Sequence, residues 1–107
     1  MKLRPPTQYD ARARIAKALA HPSRLLILDA LQQRSMCVCE LTELVGADQS
    51  TVSKHLAVLR QAGMVEDHKR GVMNVYRLKV TCLEGFWQCI ESVLKENLKV
   101  QRAAVGR

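Results

Sequence analysis

Residues 42–63 read TELVGADQSTVSKHLAVLRQAG, in which two apolar patterns are separated by a short polar turn. Gly46 is suited to end a first helix, and Asp48 can accept hydrogen bonds from the free amides at the start of a second one. The second helix has apolar residues at a spacing that places them on one face, namely Val52, Leu56 and Leu59. Gly63 then ends it. The segment therefore predicts two consecutive helices joined by a tight turn, the first of them beginning near Cys39.

The next segment, residues 64–78, has a different character. It contains strand-forming residues, namely Val65, Val72, Val75 and Tyr76. These residues surround the turn-prone sequence Lys69-Arg70-Gly71, which predicts a β-hairpin. Two helices followed by a hairpin predict a mainly α domain with a β-hairpin wing, which is a winged helix-turn-helix.

Further helices are expected on both sides of this unit. Upstream, Pro22 suits the first turn of a helix and separates it from an earlier helix that ends near Ala20. Downstream, an apolar stripe runs along a last helix: Leu83, Phe86, Trp87, Ile90, Val93, Leu94 and Leu98. We expect a flexible basic arm at residues 1–8, one folded domain at residues 9–100 and a flexible tail at residues 101–107.

The last helix has a wider apolar stripe than one small domain can cover. A chain of 107 residues buries a modest fraction of its surface, so a helical one often gains core by dimerising. We therefore expect a homodimer. Its predicted interface residues are Leu83, Trp87, Ile90 and Leu94.

The charge of the chain favours a polyanionic partner. Lys and Arg total 17 against 10 acidic residues, a formal net charge of +7, which indicates double-stranded DNA as the partner. Polar residues at the start of the second helix of the pair are suited to meet bases: Gln49, Ser50, Thr51, Ser53, Lys54 and His55. Phosphate contacts are expected from Lys54 and from Arg60, Lys69 and Arg70.

The location of the protein is predicted from what the chain lacks. No apolar run approaches the roughly 20 residues that cross a bilayer, and the N-terminus has no apolar core of a secretory signal. We expect a cytoplasmic protein without a membrane partner. In that reducing compartment, four cysteines are more readily ligands or redox sensors than a disulfide framework.

Cys37 and Cys39 lie immediately before the predicted helix-turn-helix. Thiolates select soft or borderline ions, and a helix N-terminus favours the thiolate. Two residues apart on a helix, the side chains point about 200° apart, so both sulfurs can bind one ion only where the backbone leaves the helical form. We therefore expect ligand binding to unwind or tilt the start of the third helix. No permanent cofactor is predicted.

Four motifs in order resemble the ArsR/SmtB family of metal-sensing repressors. They lie at residues 20–25, 37–41, 49–56 and 59–65. The resemblance implies a winged-helix homodimer that binds an imperfect inverted repeat in operator DNA and releases it when an inducer binds. Because arsenic-responsive members carry the same Cys-Val-Cys-acid-Leu motif, the resemblance implies As(III) or Sb(III) as inducer, with Cd or Pb as the near variant.

The sequence does not identify a third sulfur ligand. In arsenic-responsive members a third cysteine often stands where this chain has Thr42, and other members recruit one from an N-terminal extension, whereas residues 1–36 contain none. Cys82 and Cys89 share one face of the last helix, which suits either a ligand or packing in a dimer interface, and packing is favoured. An added thiol is a further source. Zinc-sensing members of the family use a carboxylate and histidines on the last helix. The resemblance implies that this chain has Val80, Cys82, Val93 and Glu96 at those positions, which disfavours a zinc site of that type.

Three other functions fit parts of the sequence. A repressor of the same fold can sense oxidation or persulfidation of a cysteine pair, in which case arsenite would not release DNA under full reduction. An oxidoreductase is disfavoured because the chain lacks Cys-x-x-Cys and an α/β pattern. A nucleic-acid-packaging protein would bind without regard to sequence or ligand.

Overall fold

The computed structural model describes residues 1–106. Its elements in chain order are α1 (Pro6–Leu19), α2 (Pro22–Gln33), β1 (Met36–Cys37), α3 (Val38–Val45), α4 (Gln49–Gln61), β2 (Val65–Arg70), β3 (Met73–Leu78) and α5 (Leu83–Val105). The three strands form an antiparallel sheet in the order β1-β3-β2. The prediction of a mainly helical domain with a β-hairpin wing is confirmed, and β1 is an addition that the sequence did not predict.

The helix boundaries follow from local chemistry. Pro22 occupies the first turn of α2, where its missing N–H costs nothing, and the His21 Nδ1 atom accepts a hydrogen bond from the Ser23 amide at 3.1 Å. Helix α3 ends at Gly46, whose φ of 76° is accessible to glycine at little cost. Asp48 caps α4 by accepting from the Thr51 amide at 2.7 Å.

The core lies where α2, α3 and α4 meet the wing. Its fully buried side chains are Ile27, Leu28, Leu41, Val52, Leu56, Leu59 and Val65. Burying each large apolar side chain contributes roughly 1.5–3 kcal/mol. Helix α5 adds Leu83, and Phe86 and Trp87 pack against the same cluster. The core therefore fixes α4 relative to both α3 and the hairpin.

Three predicted boundaries need correction. Helix α1 begins at Pro6, inside the predicted arm of residues 1–8, because proline is tolerated at the first position of a helix. Helix α5 continues to Val105, so most of the predicted tail of residues 101–107 is helical, and Arg107 lies outside the described residues. In the wing, Lys69 and Arg70 are paired in β2, and the turn itself is Gly71 and Val72.

Helix α5 extends well beyond the core. The radius of gyration of the Cα atoms is 17.1 Å, against about 13 Å expected for a compact chain of this length. Beyond Trp87 the apolar stripe of α5 is exposed to solvent, as at Ile90, Val93, Leu94 and Leu98. A large part of the apolar surface of this helix is thus left without a partner in its own chain.

Candidate functional site

Helix α4 presents a polar N-terminal half on a rigid support. Val52, Leu56 and Leu59 are fully buried, so the opposite face of the helix is turned outward. Gln49, Ser50, Ser53 and Lys54 are exposed there, and Thr51 is half-buried. The Thr51 side chain and backbone amide both donate hydrogen bonds to the Asp48 carboxylate, which hold the pKa of that carboxyl below its usual range and keep the cap charged. Four of the six residues predicted to meet bases are therefore exposed on this face, and their contact with DNA stays a prediction.

His55, the sixth residue of that set, is placed differently. It is half-buried, its ring lies 4.4 Å from that of His21, and its Nδ1 atom accepts a hydrogen bond from Arg24 Nε at 3.1 Å. Burial, followed by the nearby His21 and Arg24, lowers the pKa of His55. In this arrangement His55 is neutral and ties α4 to the start of α2. Its predicted contact with a base stays a prediction.

The Asp67 carboxylate connects the wing to the end of α4 through polar contacts. Asp67 in β2 accepts a hydrogen bond from Asn74 Nδ2 in β3 at 3.0 Å, and its Oδ2 atom lies 3.3 Å from Arg60 Nη1. The Asn74 hydrogen bond and then Arg60 lower the pKa of Asp67. Arg60 is therefore shared with the wing rather than free. Lys69 and Arg70 lie exposed at the end of β2, where they are available to phosphates.

The two predicted thiol ligands lie where strand β1 passes into helix α3. Cys37 is buried at 6% exposure and has an extended backbone with φ −80° and ψ 166°, whereas Cys39 is exposed in the first turn of α3. A hydrogen bond between the two thiols, aided by burial, raises the pKa of Cys39. The backbone has thus left the helical form at Cys37. The predicted unwinding or tilting of the start of α3 on ligand binding stays a prediction.

An ion pair stands next to the thiols. Glu40 Oε1 accepts a hydrogen bond from the Cys37 amide at 3.2 Å, and its other oxygen pairs with Arg34. These contacts, Arg34 first, lower the pKa of Glu40 to about 2. Glu40 therefore stays ionised and fixes the backbone turn from β1 into α3. Neither Arg34 nor Glu40 was singled out from the sequence as a pair, although Glu40 lies three residues after the N-cap, where a capping carboxylate is expected.

The thiol pair is connected to the wing through the sheet. Cys37 pairs with Val75 and Met36 pairs with Tyr76, so β1 lies directly beside the β3 strand of the hairpin. Helix α3, which carries Cys39, packs in the core against α4. Cys37 is therefore joined to the wing through β3, and α3 connects the junction to α4.

Cys82 and Cys89 are exposed, at the N-cap of α5 and on that helix. Among residues 1–106 no three His, Cys, Asp or Glu side chains lie close enough together to hold a metal ion. Neither cysteine therefore joins Cys37 and Cys39 within one protomer. Their role as a third ligand or as packing residues stays a prediction.

The four predicted interface residues differ in placement. Leu83 is 3% exposed and belongs to the core of its own chain, because it lies in the first turn of α5 where that helix meets α2 and the sheet. Trp87 packs on the same core and donates from Nε1 to Gln32 Oε1 at 2.8 Å. Ile90 and Leu94 are 42% and 57% exposed, so they have apolar surface available for a second copy. The assignment of Leu83 to the interface is corrected to the core.

This arrangement defines a winged helix-turn-helix protein, with a polar reading helix, a basic hairpin and an unpaired terminal helix. The family model described as "Bacterial regulatory protein, arsR family" matches residues 21–67. The uncharacterized HTH-type transcriptional regulator MJ1325 of Methanocaldococcus jannaschii is 41% identical over 70 residues, which are 64% of this chain and 79% of that protein. The regulator NmtR of Mycobacterium tuberculosis is 42% identical over 76 residues, 68% of this chain and 63% of NmtR.

Solved structures agree. The crystal structure of Mycobacterium tuberculosis Rv0081 has a TM-score of 0.78 at 32% identity, covering 92% of this chain and 98% of that one. A homodimeric winged helix-turn-helix DNA-binding domain from Mycobacterium bovis has a TM-score of 0.75 at 29% identity, with 92% and 94% covered. The chain belongs to the ArsR/SmtB family of helix-turn-helix transcriptional regulators. Within residues 1–106 no helix is long and apolar enough to span a membrane.

Proposed function

We propose that this protein is a cytoplasmic, homodimeric transcriptional repressor that binds operator DNA through α4 and the wing and releases it when As(III) or Sb(III) binds Cys37 and Cys39. The observation that carries the proposal is the placement of the two thiols at the junction of β1 and α3, where Cys37 has an extended backbone and Cys39 lies in the first turn of α3. This junction borders both elements of the reading face. Cd and Pb are the alternative inducers of the same site.

The DNA-binding part of the proposal rests on charge and shape. Exposed polar side chains lie along the N-terminal half of α4, where a recognition helix meets base edges, and Lys54, Lys69 and Arg70 are exposed beside them. A relative of 37% identity from Mycobacterium tuberculosis carries the name transcriptional repressor SmtB, which supports repression as the direction of regulation.

The dimer is supported by the uncovered stripe of α5. Two recognition helices must stand roughly 34 Å apart to enter successive major grooves of an inverted repeat. A second copy that covers Ile90 and Leu94 would fix that separation. The related domain described as homodimeric has the same fold over most of this chain.

The inducer chemistry follows from the donor set. Two thiols, each soft and close to the other, suit trivalent arsenic or antimony, which bind sulfur in place of hydroxide. Cys37 is already extended, so we expect ligand binding to pull Cys39 toward β1 rather than to unwind α3. Such a pull tilts α3 against α4 and strains the pairing of Cys37 with Val75. Both effects would disturb the spacing that operator binding requires.

Release of labelled operator DNA by arsenite tests the proposal. We expect release from the wild-type protein under full reduction, and intact DNA binding without release from Cys37→Ser and Cys39→Ser. Cys82→Ser and Cys89→Ser are the companion variants: weakened release in one of them identifies the third ligand, whereas unchanged release in both makes the two cysteines packing residues. By linkage, operator DNA should weaken arsenite binding by the factor with which arsenite weakens DNA binding, about 5- to 150-fold. Wild-type release from Cys37→Ser would refute the assignment.

A second candidate is a thiol-redox repressor, in which the trigger is oxidation or persulfidation of cysteine. It is favoured by the placement of Cys37 and Cys39 two residues apart at the junction of β1 and α3, together with the lack of a three-residue metal cluster in residues 1–106. Under a phosphine reductant, arsenite then has no effect on operator binding, whereas a persulfide donor or mild oxidant releases the DNA once the phosphine has been removed. The same labelled DNA and the same cysteine variants separate the two candidates.

A further inference from the structure

One buried polar atom near the thiol pair has no partner. Among residues 1–106, Thr42 Oγ1 is the only buried side-chain nitrogen or oxygen atom without a hydrogen bond, and less than 1 Å² of it is exposed. Leaving such a group unpaired in the interior is unfavourable, and native structures rarely do so without a reason. The hydroxyl therefore indicates a ligand group that pairs with it.

Thr42 lies close to Cys39 on α3. The two residues are three positions apart, and such neighbours on a helix have their Cβ atoms about 5–6 Å from each other. Side chains of a helix lean toward its N-terminus, so the Thr42 side chain leans over the turn that holds Cys39. Cys37, the other thiol, is buried at the start of the same helix.

The two-thiol site leaves arsenic with one bond to satisfy. Arsenite in water is As(OH)₃, and its reaction with two thiols forms two As–S bonds, breaks two As–O bonds and releases two waters. Each thiol gives its proton to the hydroxide that leaves. Arsenic stays trivalent and no oxidant or reductant takes part, so one hydroxyl remains on it. No other cysteine of the protomer lies close enough to Cys37 and Cys39 to form a three-residue cluster with them.

We propose that Thr42 is a specificity-determining residue of the inducer site, whose buried hydroxyl hydrogen-bonds to the hydroxyl group that arsenite retains on the Cys37–Cys39 thiols. This inference rests on the proposed function. A hydroxyl side chain both donates and accepts, which suits it to an As–OH group. The site thereby selects a trivalent arsenic species that keeps one oxygen over one whose third substituent is carbon.

Comparing arsenite with phenylarsenoxide tests this proposal. Phenylarsenoxide also forms two As–S bonds, but its third substituent is a phenyl ring that offers Thr42 no hydrogen-bonding hydrogen or oxygen. Binding to the full chain is measured by calorimetry and near-ultraviolet absorbance, with a phosphine as reductant so that no added thiol competes. We expect Thr42→Val to weaken arsenite binding about three- to tenfold, the size of one neutral hydrogen bond, relative to phenylarsenoxide.

Thr42→Ser keeps the hydroxyl and should restore the wild-type ratio of the two affinities. Because Thr42→Val removes an unpaired buried oxygen, the melting temperature of its ligand-free form should not fall. An unchanged ratio in Thr42→Val, with both compounds still bound, overturns the role of Thr42 and leaves the thiol site intact. Equal weakening of both compounds also overturns it, since this indicates a structural effect. If Cys37→Ser still binds both compounds as the wild type does, the proposed function itself is overturned.

Discussion

Helices α4 and α5 are both amphipathic, but the apolar face of α4 is buried in its own chain, whereas most of the apolar face of α5 is exposed. The apolar side of α4 is completely buried at Val52, Leu56 and Leu59, because α2, α3 and the wing surround it. In α5 only Leu83 is buried, and the helix then runs past the core with its stripe exposed. Periodicity thus shows which face of a helix is apolar. It does not show whether the covering surface belongs to the same chain.

The largest expected effect comes from placing a charge in the uncovered stripe. Because Leu94 is 57% exposed in its own chain, Leu94→Glu loses about 2–3 kcal/mol of burial from the two leucines of each dimer, and it also places two carboxylates in the interface. We expect the dimer dissociation constant to rise at least about 100-fold. Analytical ultracentrifugation measures it, and operator affinity should fall with it.

Gln88→Glu is the matched control for this variant. Gln88 is exposed and lies about 120° around α5 from Leu94, outside the apolar stripe, so the added charge stays in water. Its dissociation constant should match that of the wild type. A Leu94→Glu protein that remains dimeric at wild-type concentrations would break the contrast between the two helices, because the stripe would then not be the interface.

The next effect concerns the face of α4 that its own chain covers. Leu56→Ala leaves a cavity in the core and should lower the free energy of unfolding by about 2–5 kcal/mol. Urea denaturation measures this loss. At concentrations where the wild type is monomeric, Leu94→Ala should change the free energy of unfolding far less, since Leu94 is mostly exposed there. Equal losses in the two variants would show that α5 folds back onto the core.

The fold could be predicted wherever its signals are local. Gly46 and Asp48 mark the ends of α3 and α4 by their own chemistry, and the hairpin follows from its strand formers and its glycine. Strand β1 was missed because two residues have no periodicity, and its pairing with β3 is non-local. The start of α1 at Pro6 does not follow from the sequence alone, because two prolines with few apolar neighbours are typical of an irregular arm as well as of a first helical turn.

The sequence predicts which residues lie at the candidate site better than it predicts how their side chains are oriented. The two thiols and the exposed polar residues of α4 lie where the motifs place them. The inward placement of His55 and the pairing of Arg60 with Asp67 depend on contacts with α2 and the wing, which helical spacing cannot show. For the same reason, the unpaired hydroxyl of Thr42 becomes visible only once the core is assembled.

A smaller effect is expected on the salt dependence of DNA binding, which distinguishes the outward face of α4 from that of α5. Lys54 on α4 is expected to meet a phosphate, so Lys54→Ala should reduce the slope of log affinity against log salt by about 0.9. Lys95 is an exposed lysine of α5 and gives the control, because Lys95→Ala should leave the slope unchanged. Fluorescence anisotropy with operator and random duplexes measures both. The same loss of slope from Lys95→Ala would mean that α5 also lies along the DNA.

The smallest expected effect is the pH dependence of the contact between α4 and α2. The pKa of His55 in the folded protein is held below the ordinary value of 6.5 by burial, followed by the nearby His21 and Arg24. At a pH between the folded pKa and 6.5, the unfolded chain therefore binds more protons than the folded one. Stability from this contact is therefore complete above about pH 6.5 and is lost as the pH falls through the folded pKa of His55. A protonated His55 could no longer accept the Arg24 hydrogen bond, and it would lie beside the cationic Arg24 and the polar ring of His21.

In His55→Gln the fall in unfolding free energy between pH 7 and pH 5 should be shallower than in the wild type. His68→Gln is the control, because His68 is on the exposed part of β2, and it should keep the wild-type curve. If His55→Gln retains the full pH dependence, the histidine contact does not couple α4 to α2 through its protonation state.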